Sequence, residues 1–146
     1  MDASFIIPCK GRLTHLQETL PYKLVQQTHY TYEVIIVDYN CPNFTEEWCN
    51  RLHHNLVRVV RVPAPISYFN NSHCRNCGAA EALGDVLCFS DADCYLSPEW
   101  LDYVMDKITA KSWINGVGND FKPHDKQQGR GTWACTKELW ESLQGS

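Results

Sequence analysis

Residues Glu33 to Asp38, EVIIVD, set four branched apolar side chains in a row between two carboxylates. A strand with one face in water alternates apolar and polar residues. One that does not alternate is covered on both faces, the condition of a parallel sheet packed between helices. Three other segments fit the same frame: SFIIP (Ser4 to Pro8), VRVVRV (Val57 to Val62) and VLCFS (Val86 to Ser90). Helical spacing follows each strand. Leu13, Leu16, Leu20 and Leu24 make the first stripe, which Pro21 is expected to break or kink. The turn Asn40-Cys41-Pro42-Asn43 precedes a helix opened by Thr45, Glu46 and Glu47, acidic where the helix dipole favours it. Ser72 is the expected N-cap of a helix running through Leu83 and ended by Gly84. Ser97 is the expected cap of the next, with Pro98 in its first position and Trp100, Leu101, Val104, Met105 and Ile108 on its buried face. The alternation through residue 110 predicts an α/β fold, a mostly parallel central sheet with helices on both faces.

After Lys111 the pattern loosens. Trp113 to Gly118 reads as a strand, and Asn119 to Gly131 as a polar, turn-rich and mobile loop. Extended structure returns at Thr132 to Cys135, and Thr136 caps a last helix, KELWESL. A chain of 146 residues can bury one proper core. Its net charge of −4 argues against a nucleic-acid surface, and it carries no polybasic tract for a membrane. No apolar run approaches the ~20 residues that span a bilayer, and MDASFIIPCKGR lacks the features of a signal peptide, so the expected location is cytoplasmic. There the eight cysteines, Cys9, Cys41, Cys49, Cys74, Cys77, Cys88, Cys94 and Cys135, are expected to be reduced. Cys74-Arg75-Asn76-Cys77 is a C-x-x-C spacing that admits a redox or zinc reading; zinc needs a second pair, and Cys41 with Cys49 is a poor one.

The stretch CFSDADCYLSPEW runs from an apolar strand into two aspartates one residue apart. In an extended chain Asp91 and Asp93 point to one side, and like charges so placed repel unless a cation lies between them. The bland alternative is an acidic surface turn. In an open α/β sheet, ligands bind beyond the carboxyl ends of the strands. Four features fall at such ends: Pro8 to Arg12, Asp38 to Pro42, Ser72 to Asn76, and Asp91 to Asp93. Arg75, expected in the first turn of its helix, adds a cation suited to phosphate oxygens. Asp91 and Asp93 supply hard oxygen ligands for Mn²⁺ or Mg²⁺ bridging to a diphosphate.

EVIIVDYNCP, then CRNCGAAEALGDVLCFSDAD, then GTWACTKELWESL resemble successive landmarks of the family 2 inverting glycosyltransferases with the GT-A fold, a Rossmann-like nucleotide-diphospho-sugar transferase fold. The most specific element is the ordered set R-N-x-G, G-D and D-x-D between Arg75 and Asp93. The resemblance implies a single domain over 1–146, with a donor-binding part at 1–110 and a partial acceptor-side region at 111–146. It implies transfer from a UDP-sugar to a carbohydrate or other hydroxyl acceptor with inversion. By the same likeness Asp38 binds the uracil edge, Pro8 lines the base pocket, Arg75 binds the nucleotide, Asp91 the ribose or the metal, and Asp93 the metal bridging the donor's phosphates. Cys74 and Cys77 then become incidental thiols, and Asn76 and Gly78 shape the helix against the sheet. His73 reads as a surface histidine, His124 as a donor-site candidate, and Trp133 as a sugar-pocket floor or ordinary core. Two departures stand out. Tyr39 occupies a position where the family usually has a second acid, and the catalytic base is expected beyond Ser146, leaving Asp120, Asp125, Glu138 and Glu141 as weak substitutes. The alternative reading is a nucleotide-sugar binding module without turnover.

Overall fold

The computed structural model describes residues 1–65, 67–115 and 132–143. In chain order its elements are β1 (Ala3–Cys9), α1 (Leu13–Leu24), β2 (Tyr32–Asp38), α2 (Thr45–Leu52), β3 (Val57–Arg61), α3 (Asn71–Glu81), β4 (Val86–Ser90), α4 (Trp100–Lys107), β5 (Ile114–Asn115), β6 (Thr132–Thr136) and α5 (Lys137–Leu143). They form one sheet in the order β3-β2-β1-β4-β6-β5. β1 through β4 are parallel, and β6 runs antiparallel to both β4 and β5. Every residue of β1, β2 and β4 is buried, as the unbroken apolar runs require.

Alternate residues divide the core. Phe5, Ile7, Ile36 and Cys88 pack with Leu16, Leu20, Trp100, Leu101 and Val104, which places α1 and α4 on one face. Ile6, Ile35, Val37, Leu87 and Phe89 pack with Cys74, Ala79, Leu139 and Trp140, which places α3 and α5 on the other. This is the period-two division that a doubly covered sheet imposes.

Several helix boundaries differ from the sequence reading. Pro21 leaves α1 continuous. It costs the helix one N–H, but Pro21 and Gln17, whose carbonyl would have received it, are both exposed, so water can take that carbonyl. Asn70, two residues before Ser72, caps α3 by accepting the His73 N–H, and the helix ends at Glu81 with Ala82 extended rather than at Gly84. α4 starts at Trp100, with Pro98 and Glu99 in a turn and the Ser97 carbonyl, not its hydroxyl, accepting the Trp100 N–H at 3.2 Å. Thr136 does cap α5, its hydroxyl accepting the Leu139 N–H at 3.1 Å.

Two glycines let elements approach. A Cβ on Gly78 would stand 2.5 Å from Ile6 Cγ2 and 2.8 Å from Val37 Cγ2, so α3 lies directly on β1 and β2. A Cβ on Gly84 would stand 2.4 Å from the Ala3 carbonyl carbon and 2.6 Å from the Ser4 nitrogen. Its N–H donates to Ser4 Oγ at 2.9 Å, and that hydroxyl donates to buried Glu33, itself held by Arg58 Nε at 2.8 Å and the Leu83 N–H at 2.8 Å. Side-chain methyls can shift where backbone cannot. Gly84→Ala is therefore expected to cost about 3 kcal/mol of unfolding free energy and Gly78→Ala about 1 kcal/mol, within the usual range for overpacking, as measured by urea unfolding. Equal losses would contradict this account of the G-D turn.

Candidate functional site

The strand order reverses at the centre of the sheet, β1 having β2 on one side and β4 on the other. Pairing of β1 with β4 stops at Ile6–Phe89, whereas pairing with β2 continues to Cys9–Asp38. The carboxyl ends of β1 and β4 therefore part. Pro8, which has no N–H to give a neighbouring strand, falls where that pairing has ended. A cleft of about 250 Å³ opens there, lined by Pro8, Lys10 and Arg12 after β1, Phe69 and Asn71 at the start of α3, and Asp91 through Asp93 after β4.

Asp91, Asp93 and Cys94 each bring a ligand atom within 4.8 Å of the others, and they form a group able to hold a metal ion. Burial pushes the Asp91 carboxyl above the ordinary carboxylate range; Arg75 opposes that shift and the Asp93 charge adds to it. The Arg75 guanidinium lies 3.6 Å from Asp91 Oδ1 and 5.5 Å over the Trp133 ring. Because α3 begins at Asn71, Arg75 sits one turn inside the helix rather than in its first turn. Its Nε, with Asn71 Oδ1 and Asn76 Oδ1, is buried without a hydrogen-bond partner among the described residues. Buried polar atoms are costly to leave unpaired, and of these three residues Asn71 lines the cleft.

Asp38 does something different at the end of β2. It is fully buried, with Oδ1 accepting the Cys41 N–H at 2.6 Å and Oδ2 the Glu46 N–H at 3.0 Å. The carboxylate thus shapes the β2 loop and caps the first turn of α2, whose own N-cap position, Phe44, makes no side-chain cap bond. Tyr39 is buried beside it, its hydroxyl 2.8 Å from Nδ1 of His73, so the exposed histidine is tied to the β2 end. Lys10 lies over the Tyr39 ring and donates to the Pro65 and Tyr68 carbonyls at 2.8 and 2.6 Å, fastening the segment before α3 to the end of β1.

The C-x-x-C thiols point to packing. Cys74 is buried with its Sγ 3.9 Å from the Val37 carbonyl, and burial pushes its thiol up to about 12, away from a reactive thiolate; among the described residues neither it nor Cys77 belongs to a group of three metal-ligating side chains. Burial also raises Cys77. All eight cysteines are free thiols. Trp133 is half-buried and stacks on Phe89 at 4.2 Å between centroids, so it is both core and the surface under Arg75. Glu138 and Glu141 are exposed on α5. His124, Asp120 and Asp125 lie outside the described residues, as does all of the polar loop 119–131.

The sequence reading missed Lys23 and Thr19. Both are buried on α1 beneath the aspartate loop, and burial lowers the Lys23 ammonium to about 8. The available signal was a lysine seven residues after Leu16 and three after Leu20, on the apolar stripe itself. Cys94, next to Asp93, was missed as a member of the ligand group.

A comparison with curated proteins finds no significant match. Among solved structures, the mannosyltransferase PcManGT from Pyrobaculum calidifontis, in complex with GDP-Man and Mn²⁺, is similar with a TM-score of 0.75 and 18% identity, over 97% of this chain and 46% of that one. S. aureus TarS in complex with UDP is similar with a TM-score of 0.71 and 19% identity, over 99% of this chain and 49% of that one. Its complex with UDP-GlcNAc gives the same TM-score and identity, over 99% of this chain and 48% of that one. At these identities the likeness is one of fold, and the chain spans about half the length of each of these proteins. The family model of glycosyl transferase family 2 matches residues 4–134, from β1 into β6, and the chain belongs to that family.

Proposed function

We propose that this chain binds a uridine-diphosphate sugar with Mn²⁺ or Mg²⁺ in the cleft between the ends of β1 and β4, and transfers the sugar to a carbohydrate or other hydroxyl acceptor with inversion. The observation that carries the reading is the meeting of Asp91, Asp93 and Arg75 where the strand order reverses. The donor set fits a hard divalent cation: two carboxylates within reach of one ion, with the Cys94 thiol beside them. PcManGT, in complex with GDP-Man and Mn²⁺, and TarS, in complex with UDP-GlcNAc, make a nucleotide-sugar donor the natural class for this fold. They favour transfer over a module that only binds.

In this reading Asp91 and Asp93 would hold the cation, which when bound would supply charge neutralisation for the departing diphosphate. Arg75 offers its unpartnered Nε and the rest of its planar fork to phosphate oxygens. Asn71 and Pro8 line the nucleotide side, and Asp38 serves the base pocket through the loop that its carboxylate holds. The acceptor oxygen attacks the anomeric carbon in line, its bond to the diphosphate oxygen breaks, and the hydroxyl proton passes to a base. Among the described residues no helix is long and apolar enough to cross a membrane. With eight free thiols, we place the chain in the reducing cytoplasm.

Calorimetry should find UDP bound more tightly with Mn²⁺ than without, and in preference to ADP. Asp93→Ala should weaken the metal-dependent binding ten- to hundredfold, about 1.5–3 kcal/mol for contacts to a charged group, while Cys74→Ala leaves it unchanged. Equal affinity for both nucleotides regardless of metal would defeat the proposal, and metal release by Cys74→Ala would replace it with a thiol site.

The Asp91 shift adds a pH dependence. A carboxyl raised by burial gains its proton at a higher pH than the ordinary 3.8, so Mn²⁺ binding should begin to fail above the usual carboxylate range as the solution is acidified. Arg75 opposes the shift, so Arg75→Gln should move the Asp91 titration further up. Carboxyl-carbon NMR of the metal-free chain checks both; titration at or below 3.8 would contradict them.

A further inference from the structure

The backbone of the aspartate loop is held from below by two side chains of α1. The Thr19 hydroxyl donates to the Ala92 carbonyl at 2.6 Å. Lys23 Nζ donates to the Cys94 carbonyl at 2.9 Å, to the Asp91 carbonyl at 3.3 Å and to Thr19 Oγ1 at 3.4 Å. Both residues are sealed from solvent, Lys23 at 0% and Thr19 at 1% exposure. Among the described residues Lys23 forms no ion pair, so its charge is met by carbonyl and hydroxyl dipoles. Placing an ammonium there is unfavourable unless every proton finds a partner, and all its acceptors belong to the loop or to Thr19. Three of the four carbonyls from Asp91 to Cys94 are thereby turned inward. The side chains of Asp91 and Asp93 are left to the cleft.

We propose that Lys23 and Thr19 are positioning residues for the metal-binding aspartates: they fix the main chain of the loop so that both carboxylates reach one cation. The inference rests on the reading of Asp91 and Asp93 as ligands of a divalent ion. Geometry and charge make opposite demands here. A lysine behind two carboxylates repels an incoming cation, so if its charge were all that mattered, replacing it with a neutral residue would tighten metal binding. If it positions the loop, the same replacement weakens it. Thr19 carries no charge and isolates the geometric part.

The test is the factor by which Mn²⁺ tightens UDP binding, measured by calorimetry on the whole chain and on Thr19→Val, Thr19→Ser and Lys23→Met, with urea unfolding of each. The factor should fall about fivefold in Thr19→Val, as expected for one neutral hydrogen bond, and tenfold or more in Lys23→Met. Thr19→Ser should keep it, and UDP affinity without metal should stay within about twofold throughout. If Thr19→Val and Lys23→Met lose stability yet keep the unmodified chain's factor, the pair is a structural tie only and the proposal is overturned. A larger factor in Lys23→Met also overturns it, in favour of charge alone. Should Lys23→Met fail to fold, Thr19→Val against Thr19→Ser decides. An unmodified chain that shows no metal effect refutes the functional reading itself, and the positioning role with it, a result distinct from the other two.

Discussion

Two carboxylates held one residue apart at the end of a strand repel each other, and the structure around Asp91 and Asp93 is organised to bear that repulsion. Arg75 approaches Asp91 from α3, and Lys23 stands behind the loop on α1. Burial still holds the Asp91 carboxyl above its ordinary range, with Asp93 adding to the shift. Two carboxylates that share one loop at the edge of the cleft are the hard oxygen ligands that a divalent ion would use.

What keeps the pair in place is the sheet. β4 is paired on both sides, with β1 and β6, and is buried along its whole length, so the loop that leaves it starts from a fixed point. α3 reaches the cleft because Gly78 lets it lie against Ile6 and Val37, which carries Arg75 toward Asp91. The β2 end is held by Asp38, whose two oxygens bind the Cys41 and Glu46 N–H groups. The cleft and its surroundings are thus held by the pairing of β4, the close seat of α3 and the loop bonds of Asp38.

The strands were legible because burial on both faces is written locally, in runs such as EVIIVD and VLCFS. The caps were less so. Ser72 and Asn70 both suit an N-cap, and only the path of the backbone selects Asn70; Pro21 was tolerable because its side of α1 faces water. Asp91, Asp93 and Arg75 stood out as charged residues near strand ends. Asp38 stood out in the same way, but its bonds to the Cys41 and Glu46 N–H groups did not, because a carboxylate at a strand end looks the same whether it faces a ligand or its own loop. Lys23 was hardest. Its partners lie 68 and 71 residues along the chain, and only the folded sheet brings α1 beneath the β4 loop.

The central claim is that a divalent cation and a nucleoside diphosphate meet between the ends of β1 and β4. Anomalous diffraction at the manganese edge, from crystals of the chain grown with Mn²⁺ and UDP, locates the ion without reference to activity. The account predicts one strong peak within coordination distance of Asp93 and Asp91, with diphosphate density beside it toward Arg75. A peak at Cys74 and Cys77, or diphosphate density away from the β1–β4 cleft, would contradict it.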